Sequence, residues 1–195
     1  MIPFSYHTDA TIEDTIEDSI EDSIDMSESS TSYLVFTMEI EPPYEHFHMI
    51  TDHVAIGDYT TSYDNFDVIF NFNYPYNHVA LGAIDTEIDY RHGAIQKTVY
   101  KIGLLDTTEY SDTLIEIFIN LIPYLIASKG KRILFHCYAG ISRSSTAAIL
   151  YFMLTTTMTL EQIYALLLSK RSHINPNPTF RRIIDICYSI RTRIT

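Results

Sequence analysis

Residues 131–146 constrain the fold and chemistry of this chain more than any other stretch. Residues 133–135, Ile-Leu-Phe, are wholly apolar, which is typical of a strand buried on both faces. From Thr146 onward, the run Ala-Ala-Ile-Leu-Tyr-Phe-Met-Leu has the length and composition of a helix. The sequence therefore predicts a tight strand-to-helix loop. Such a loop directs backbone N–H groups and the positive end of the helix dipole at one point, where a dianion would bind.

Cys137 and Arg143 stand at the two ends of this loop. A cysteine surrounded by inward N–H groups, a helix N-terminus and a guanidinium is expected to be a thiolate, and hence a nucleophile, at neutral pH. Arg143 offers a planar fork that matches two phosphate oxygens. Gly140 lets the loop turn, and Ser144 can donate a hydrogen bond back to the sulfur. The alternative, a structural cysteine before an ordinary helix, does not account for the order His-Cys-x5-Arg-Ser.

The run from His136 to Ser144, His-Cys-Tyr-Ala-Gly-Ile-Ser-Arg-Ser, resembles the signature of the cysteine-based protein tyrosine phosphatases. Its Ala-Gly-Ile-Ser-Arg-Ser part is the form typical of the dual-specificity branch, here of the small atypical type without a kinase-docking domain. The resemblance implies an α/β fold whose central, mainly parallel sheet is flanked by helices in three layers. It also implies that these loop residues bind the substrate phosphate: Tyr138, Ala139, Gly140, Ile141, Ser142 and Arg143.

A general acid must protonate the leaving oxygen when a thiolate displaces a phosphoryl group. Asp106 and Asp112 are the candidates. Asp106 follows a predicted strand, at the sheet edge where sites form, whereas Asp112 is expected to cap a helix. The resemblance also favours Asp106, which lies at the family's usual distance before the cysteine. It further implies that Asn177, in a Pro-Asn segment, braces the phosphate-binding loop, and that His136 supports the loop rather than acting as a base.

Three residues near the predicted site have less specific interpretations. Lys170 and Arg171 could contact a phosphate or an acidic residue of the substrate, but an ordinary solvated helix end is the simpler interpretation. Cys187 could form a disulfide with Cys137 under oxidation, although a core cysteine is the simpler interpretation here too.

Hydrophobic periodicity divides the rest of the folded part into short strands and amphipathic helices. Residues 77–96 follow neither pattern and are longer than a usual connection, so we interpret them as an insertion near the substrate surface. Pro123 should kink the helix in which it falls, and a capping box at Thr159 opens the next helix. Strands are predicted at residues 49–57, 66–72 and 98–105, and helices begin near residues 112, 143, 159 and 180.

Charge is unevenly distributed along the 195 residues, whose net charge is −12. Residues 1–32 carry nine acids and no Lys or Arg, and they contain a repeated tetrad, Thr/Ser-Ile-Glu-Asp. We expect them to form a disordered acidic tail, and a helix is the alternative. Residues 33–47 are interpreted as a linker or peripheral strand, and residues 48–195 as the catalytic domain. Residues 129–195 carry ten bases and two acids, so the basic region around the loop would attract anionic substrates.

The two cysteines have no spacing that suggests a disulfide framework or a zinc site, which fits a reducing compartment, the cytoplasm or alternatively the nucleus. No signal peptide or membrane span is recognisable, so no membrane partner is expected. The acidity of the chain argues against nucleic-acid binding. The tail and the first strand could mediate a homodimer.

A metal cluster can be drawn near the start of the domain, but it lacks a second ligand pair. Its members would be Glu45, His46, His48, Asp52 and His53.

The resemblance implies a two-step hydrolysis through a phosphocysteine, with no metal or organic cofactor. The interior of the loop carries no Lys or Arg, unlike phosphoinositide phosphatases of the same superfamily, so phosphotyrosine and phosphoserine/threonine on proteins are the favoured substrates. Hydrolysis of an RNA 5′-phosphate or of a phosphoinositide is the enzymatic alternative. A catalytically silent phosphoprotein-binding module is the alternative from another class.

Overall fold

A computed structural model describes residues 45–91 and 94–194. The acidic repeat and the strand-like residues 33–36 lie outside the described residues. The described part contains six strands, β1 (Phe47–Met49), β2 (Val54–Gly57), β3 (Val68–Asn71), β4 (Ile84–Arg91), β5 (Ala94–Ile102) and β6 (Ile133–His136), and four helices, α1 (Asp112–Ala127), α2 (Arg143–Thr155), α3 (Leu160–Lys170) and α4 (Pro178–Ile194).

The strands form one sheet in the order β1-β2-β6-β3-β5-β4. β6 pairs in parallel with β2 on one side and with β3 on the other, and β3 pairs in parallel with β5. The two outer strands, β1 and β4, are antiparallel to their neighbours. The predicted α/β class with a central, mainly parallel sheet is confirmed. The parallel pairing brings the carboxyl ends of β2, β3, β5 and β6 to the same edge.

Side chains of the central strands alternate between two apolar clusters, as the pleat of a strand requires. In β6, Ile133 and Phe135 point into the larger cluster, which includes residues from all four helices, whereas Leu134 points into the smaller one. The smaller cluster is completed by Phe66 and Tyr63 from the segment between β2 and β3. β6 is therefore buried on both faces, which explains the apolar run from Ile133 to Phe135.

The N-cap of α1 differs from the prediction. Ser111, not Asp112, is the N-cap, because its side chain accepts a hydrogen bond from the Leu114 N–H, and Asp112 lies in the first turn. The helix continues through Pro123 to Ala127. The capping box at Thr159 is present, with reciprocal hydrogen bonds to residue 162.

Most of the segment that matched no pattern, residues 77–96, forms regular structure. β4 and β5 pair as an antiparallel hairpin, so β5 begins at Ala94 instead of residue 98. The side chains of residues 85–90 in β4 are exposed. Ile84, Ile88 and Tyr90 do alternate with polar residues, so the period of a strand is present, but Thr86 and the three acids make it weak. α4 begins at Pro178, a residue that is well tolerated in the first helical turn.

Candidate active site

The loop between β6 and α2 lies at the carboxyl edge of the parallel strands. Residues 137–142 form it, because β6 ends at His136 and α2 begins at Arg143. Cys137 is 2% exposed. The Gly140 N–H donates to Cys137 Sγ over 3.3 Å, and Ser144 Oγ lies 3.3 Å from the same sulfur. The sulfur is thus contacted both by the loop backbone and by the first turn of α2.

Gly140 is required by both the conformation and the packing of the loop. Its φ is +68°, in the left-handed region that side chains with a Cβ rarely adopt. A Cβ at this position would lie 2.6 Å from the carbonyl oxygen of Gly57 and 2.6 Å from the guanidinium of Arg171. Any other residue would push the loop away from β2.

Backbone carbonyls from two neighbouring strand ends hold Arg143. Its Nη1 donates to the carbonyl oxygens of Phe72 at 2.7 Å, Tyr74 at 3.1 Å and Leu104 at 3.4 Å. These carbonyls follow β3 and β5, which end at the same sheet edge as β6. The side chain is almost completely buried, and its Nε lies 3.7 Å from Asp106 Oδ2. The guanidinium is therefore fixed beside the loop before any ligand arrives.

Asp106 contacts the loop directly from the segment after β5. Its Oδ1 accepts hydrogen bonds from Ser142 Oγ at 2.9 Å and from Asn177 Nδ2 at 2.8 Å. Both bonds fall on the same oxygen, and the other oxygen, Oδ2, is the one that lies 3.7 Å from Arg143 Nε. The Asp106 side chain is 38% exposed and thus accessible to a ligand. Of the two acid candidates, Asp106 is the one in contact with the loop.

Asn177 connects the Asp106 segment with the loop and with α4. Its Nδ2 also donates to the Thr107 carbonyl at 3.0 Å, and its backbone N–H donates to Ser142 Oγ at 3.2 Å. Its Oδ1 accepts from the Phe180 N–H at 2.9 Å in the first turn of α4. Every polar group of this side chain is thereby used to hold the loop and Asp106 together.

His136 is linked through Tyr63 to Asn71, and the sequence did not single out either residue as a partner. Tyr63 OH lies 2.6 Å from His136 Nε2, and Asn71 Nδ2 donates to the Tyr63 oxygen at 3.2 Å. Burial lowers the pKa of His136 to about 4 and raises the pKa of Tyr63 to about 12. The imidazole is therefore neutral, and its Nε2 shares a hydrogen bond with the neutral phenol. No sequence signal distinguishes Tyr63 from the other tyrosines, because it lies far from His136 along the chain.

Arg171 is fully buried, which overturns its interpretation as a solvated helix end or an outward substrate contact. Its Nε donates to the Gly140 carbonyl at 3.0 Å, and its Nη2 donates to the Ala139 carbonyl at 3.2 Å. Its Nη1 lies 2.7 Å from His48 Nδ1. Arg171 thus binds two carbonyl groups on the outer side of the loop. The N–H groups of the same peptide bonds therefore face the interior of the loop. Lys170, the last residue of α3, is exposed.

The other predicted loop residues have different surroundings. Ser142 is buried, and its hydroxyl is already shared between Asp106 and Asn177. The Ile141 carbonyl accepts a hydrogen bond from the Asn175 N–H at 2.9 Å. Tyr138 is 53% exposed at the mouth of the site.

Of the residues considered for other roles, His48 contacts Arg171, whereas Cys187 and His46 have other surroundings. Cys187 lines an apolar groove of about 580 Å³ between α1, α2 and α4, and burial raises the pKa of its thiol. His46 lies 3.2 Å from Asp58 Oδ2. Within residues 45–91 and 94–194, no group of three His, Cys, Asp or Glu side chains is arranged to hold a metal ion. None of the helices described is long and apolar enough to cross a membrane.

Matches to known sequences cover the strand-loop-helix region and most of the sheet. The family model "Dual specificity phosphatase, catalytic domain" matches residues 54–187. MAP kinase phosphatase with leucine-rich repeats protein 3 of Dictyostelium discoideum is 51% identical over 53 residues, which are 27% of this chain and 6% of that protein. Dual specificity protein phosphatase 6 of Homo sapiens is 34% identical over 73 residues, 36% of this chain and 19% of that protein. The chain therefore matches less than a quarter of the length of either relative.

Solved structures show the same fold. Human DUSP28 superimposes with a TM-score of 0.57 at 14% sequence identity, covering 77% of this chain and 98% of that one. PTPMT1, solved in complex with PI(5)P, has a TM-score of 0.56 at 16% identity, covering 77% of this chain and 99% of that one. Because the family model matches more than half of the sequence, the chain belongs to the family of dual specificity phosphatase catalytic domains.

Proposed function

We propose that this domain is a protein phosphatase that hydrolyses phosphotyrosine and phosphoserine/threonine through a phosphocysteine intermediate. The observation that carries the proposal is the short connection between nucleophile and acid. Ser142, in the loop that begins at Cys137, donates to Asp106 Oδ1 at 2.9 Å. A phosphate bound by the loop would therefore have the thiolate on one side and a carboxyl group close by.

In the first step, Cys137 Sγ attacks phosphorus while Arg143 and the loop N–H groups bind the equatorial oxygens. The S–P bond forms as the bond from phosphorus to the substrate oxygen breaks. Asp106, protonated on Oδ2, gives its proton to that oxygen, so an alcohol or phenol leaves. The bonds from Ser142 and Asn177 to Oδ1 support this assignment, since they leave Oδ2 for the proton.

In the second step, water attacks phosphorus and the S–P bond breaks. Asp106 now takes a proton from the water, and inorganic phosphate leaves. Ser144 donates to the departing sulfur, which it already approaches to 3.3 Å. The scheme regenerates the Cys137 thiolate and requires no metal or organic cofactor. It requires a reduced cysteine, so we propose a reducing compartment, the cytoplasm or the nucleus, as the place of action.

Single phosphates on proteins are the proposed substrates because residues 138–142, the interior of the loop, contain no Lys or Arg. Arg143, directly after the loop, is then the cation that binds the phosphate. PTPMT1 was solved with PI(5)P, which keeps a phosphoinositide as the second candidate substrate. Hydrolysis of an RNA 5′-phosphate is a weaker alternative than these two, because the chain is acidic overall. A phosphoprotein-binding module without turnover would need a defect in the catalytic set, yet Cys137, Arg143 and Asp106 are all present.

The test compares leaving groups. Asp106→Asn should lower kcat/KM by a factor of about 10²–10⁴ on an aryl phosphate with a poor leaving group, and far less on one with an activated leaving group. The wild-type enzyme should respond little to the leaving group, and Asp112→Asn is the matched control that should behave like it. Cys137→Ser should bind a phosphotyrosine peptide without turnover. An equal loss on all esters would exclude Asp106 as the acid, and turnover by Cys137→Ser would exclude the phosphocysteine.

A further inference from the structure

Three exposed tyrosines meet at the mouth of the site. Tyr59, Tyr76 and Tyr138 are 55%, 67% and 53% exposed, respectively. They follow β2, β3 and β6, whose carboxyl ends share one edge of the sheet, so residues from three separate segments converge there. Tyr138 comes directly after Cys137.

The rings are arranged as a wall. Tyr59 and Tyr138 are stacked, with centroids 5.0 Å apart and an interplanar angle of 7°. Tyr76 lies on Tyr138 with a centroid distance of 6.3 Å and an angle of 32°. The Tyr59 N–H also donates to the Tyr138 carbonyl at 3.3 Å, which ties the segment after β2 to the phosphate-binding loop. We refer to these three residues as the tyrosine wall.

The wall is also fixed relative to the phosphate site. Tyr76 belongs to the segment whose carbonyls at Phe72 and Tyr74 hold Arg143. Tyr138 is part of the loop itself. The wall and the phosphate site therefore share two pieces of backbone, and the exposed rings lie beside the loop that contains Cys137.

We propose that the tyrosine wall makes the site selective for phosphotyrosine over phosphoserine and phosphothreonine. This inference rests on the proposed phosphatase function. A phosphotyrosine presents a flat ring directly beyond the phosphate, and that ring can pack on the exposed aromatic surface. Phosphoserine and phosphothreonine present only a short aliphatic stem at that place. An aromatic pair typically contributes a factor of roughly 2 to 12 in affinity beyond the area it buries.

The test uses two peptides of identical flanking sequence, one with phosphotyrosine and one with phosphothreonine. Tyr138→Ala and Tyr59→Ala should each lower kcat/KM for the phosphotyrosine peptide about threefold to tenfold, mainly through KM, and so reduce the ratio between the peptides by that factor. Tyr138→Phe keeps the ring and should keep the ratio. Tyr90→Ala, at an exposed tyrosine of β4, is the control. Tyr59→Leu, which keeps most of the volume, replaces Tyr59→Ala if that variant unfolds.

Contrary results would identify which part of the proposal is wrong. An unchanged ratio, or an equal loss on both peptides, would overturn the selectivity role. A loss that appears only when the peptide has an aromatic residue beside the phosphorylated one would assign the wall to a flanking side chain, and would also overturn it. If the wild-type enzyme hydrolyses neither peptide, nor an aryl phosphate, the proposed function itself fails, irrespective of the wall.

Discussion

A carboxylic acid can act as a general acid only if its proton lies on the oxygen that faces the leaving group. At Asp106 two donors, Ser142 Oγ and Asn177 Nδ2, bind Oδ1 at 2.9 Å and 2.8 Å. They restrict rotation of the side chain and occupy Oδ1. We therefore propose that Asn177 acts on the proposed chemistry through Asp106, as a positioning residue.

Asn177→Ala is expected to lower kcat on a poor leaving group by roughly tenfold, less than removal of the acid, because Asp106 is still present but no longer fixed. The activated ester should change little. Asn175→Ala is the matched control, since that side chain contacts Arg181 instead of Asp106. Steady-state kinetics on both esters would measure the effect, and a similar loss on the two would contradict a role through the acid.

At the scale of elements, the end of α3 determines the shape of the phosphate-binding loop. α3 ends at Lys170, and the next side chain, Arg171, turns into the protein instead of toward solvent. It binds the carbonyls of Ala139 and Gly140 and the ring of His48, which belongs to β1. One guanidinium therefore connects a helix, the loop and the edge of the sheet.

Arg171→Met should lower the free energy of unfolding by roughly 2–5 kcal/mol, because two loop carbonyls lose their donors in a buried place. It should also reduce kcat/KM, since the loop N–H groups lose their orientation. Lys170→Met, at the exposed neighbour, should change the free energy of unfolding by less than about 0.5 kcal/mol. Urea unfolding and kinetics of the two variants would test this, and similar results for both would show that the Arg171 contacts contribute little.

At the scale of the whole molecule, one buried and two half-buried histidines couple stability to pH. Burial lowers the pKa of His136 to about 4, and burial also lowers the pKa of His48 and of His173. As the pH falls, the unfolded chain takes up these protons before the folded protein does. The stabilisation is therefore complete above about pH 6.5, the ordinary histidine value, and is lost as the pH falls toward the folded-state values.

The free energy of unfolding should consequently decrease between pH 7.5 and pH 5, with His136 contributing at most about 2 kcal/mol. His136→Asn removes this titration and should flatten the dependence on pH, even if it lowers the stability at pH 7.5. Tyr63→Phe keeps the titrating ring and should retain a pH dependence of the same sign. Urea unfolding at several pH values measures the slope, and equal slopes for wild type and His136→Asn would contradict the assignment.

The features that local sequence reveals are those whose causes are local. The apolar run of β6, the order Cys137-x5-Arg143 and the capping box at Thr159 each lie within a few neighbouring residues. The predicted sheet and family are confirmed for that reason. Strand order and the resemblance predict that Asp106 lies near the loop. The hydrogen bond between Ser142 and Asp106 is visible only in the folded structure.

Other features depend on residues that are distant in sequence. Nothing near Arg171 indicates burial, because its partners lie 31 and 32 positions away in the loop and 123 positions away in β1. The same is true of Tyr63, whose partner His136 is 73 positions away, and of the stacked Tyr59 and Tyr138. The reactive loop can be recognised in the sequence because strand, turn and helix propensities act over a few residues. Its supports and the tyrosine wall arise only where parallel strands bring remote segments to one edge of the sheet.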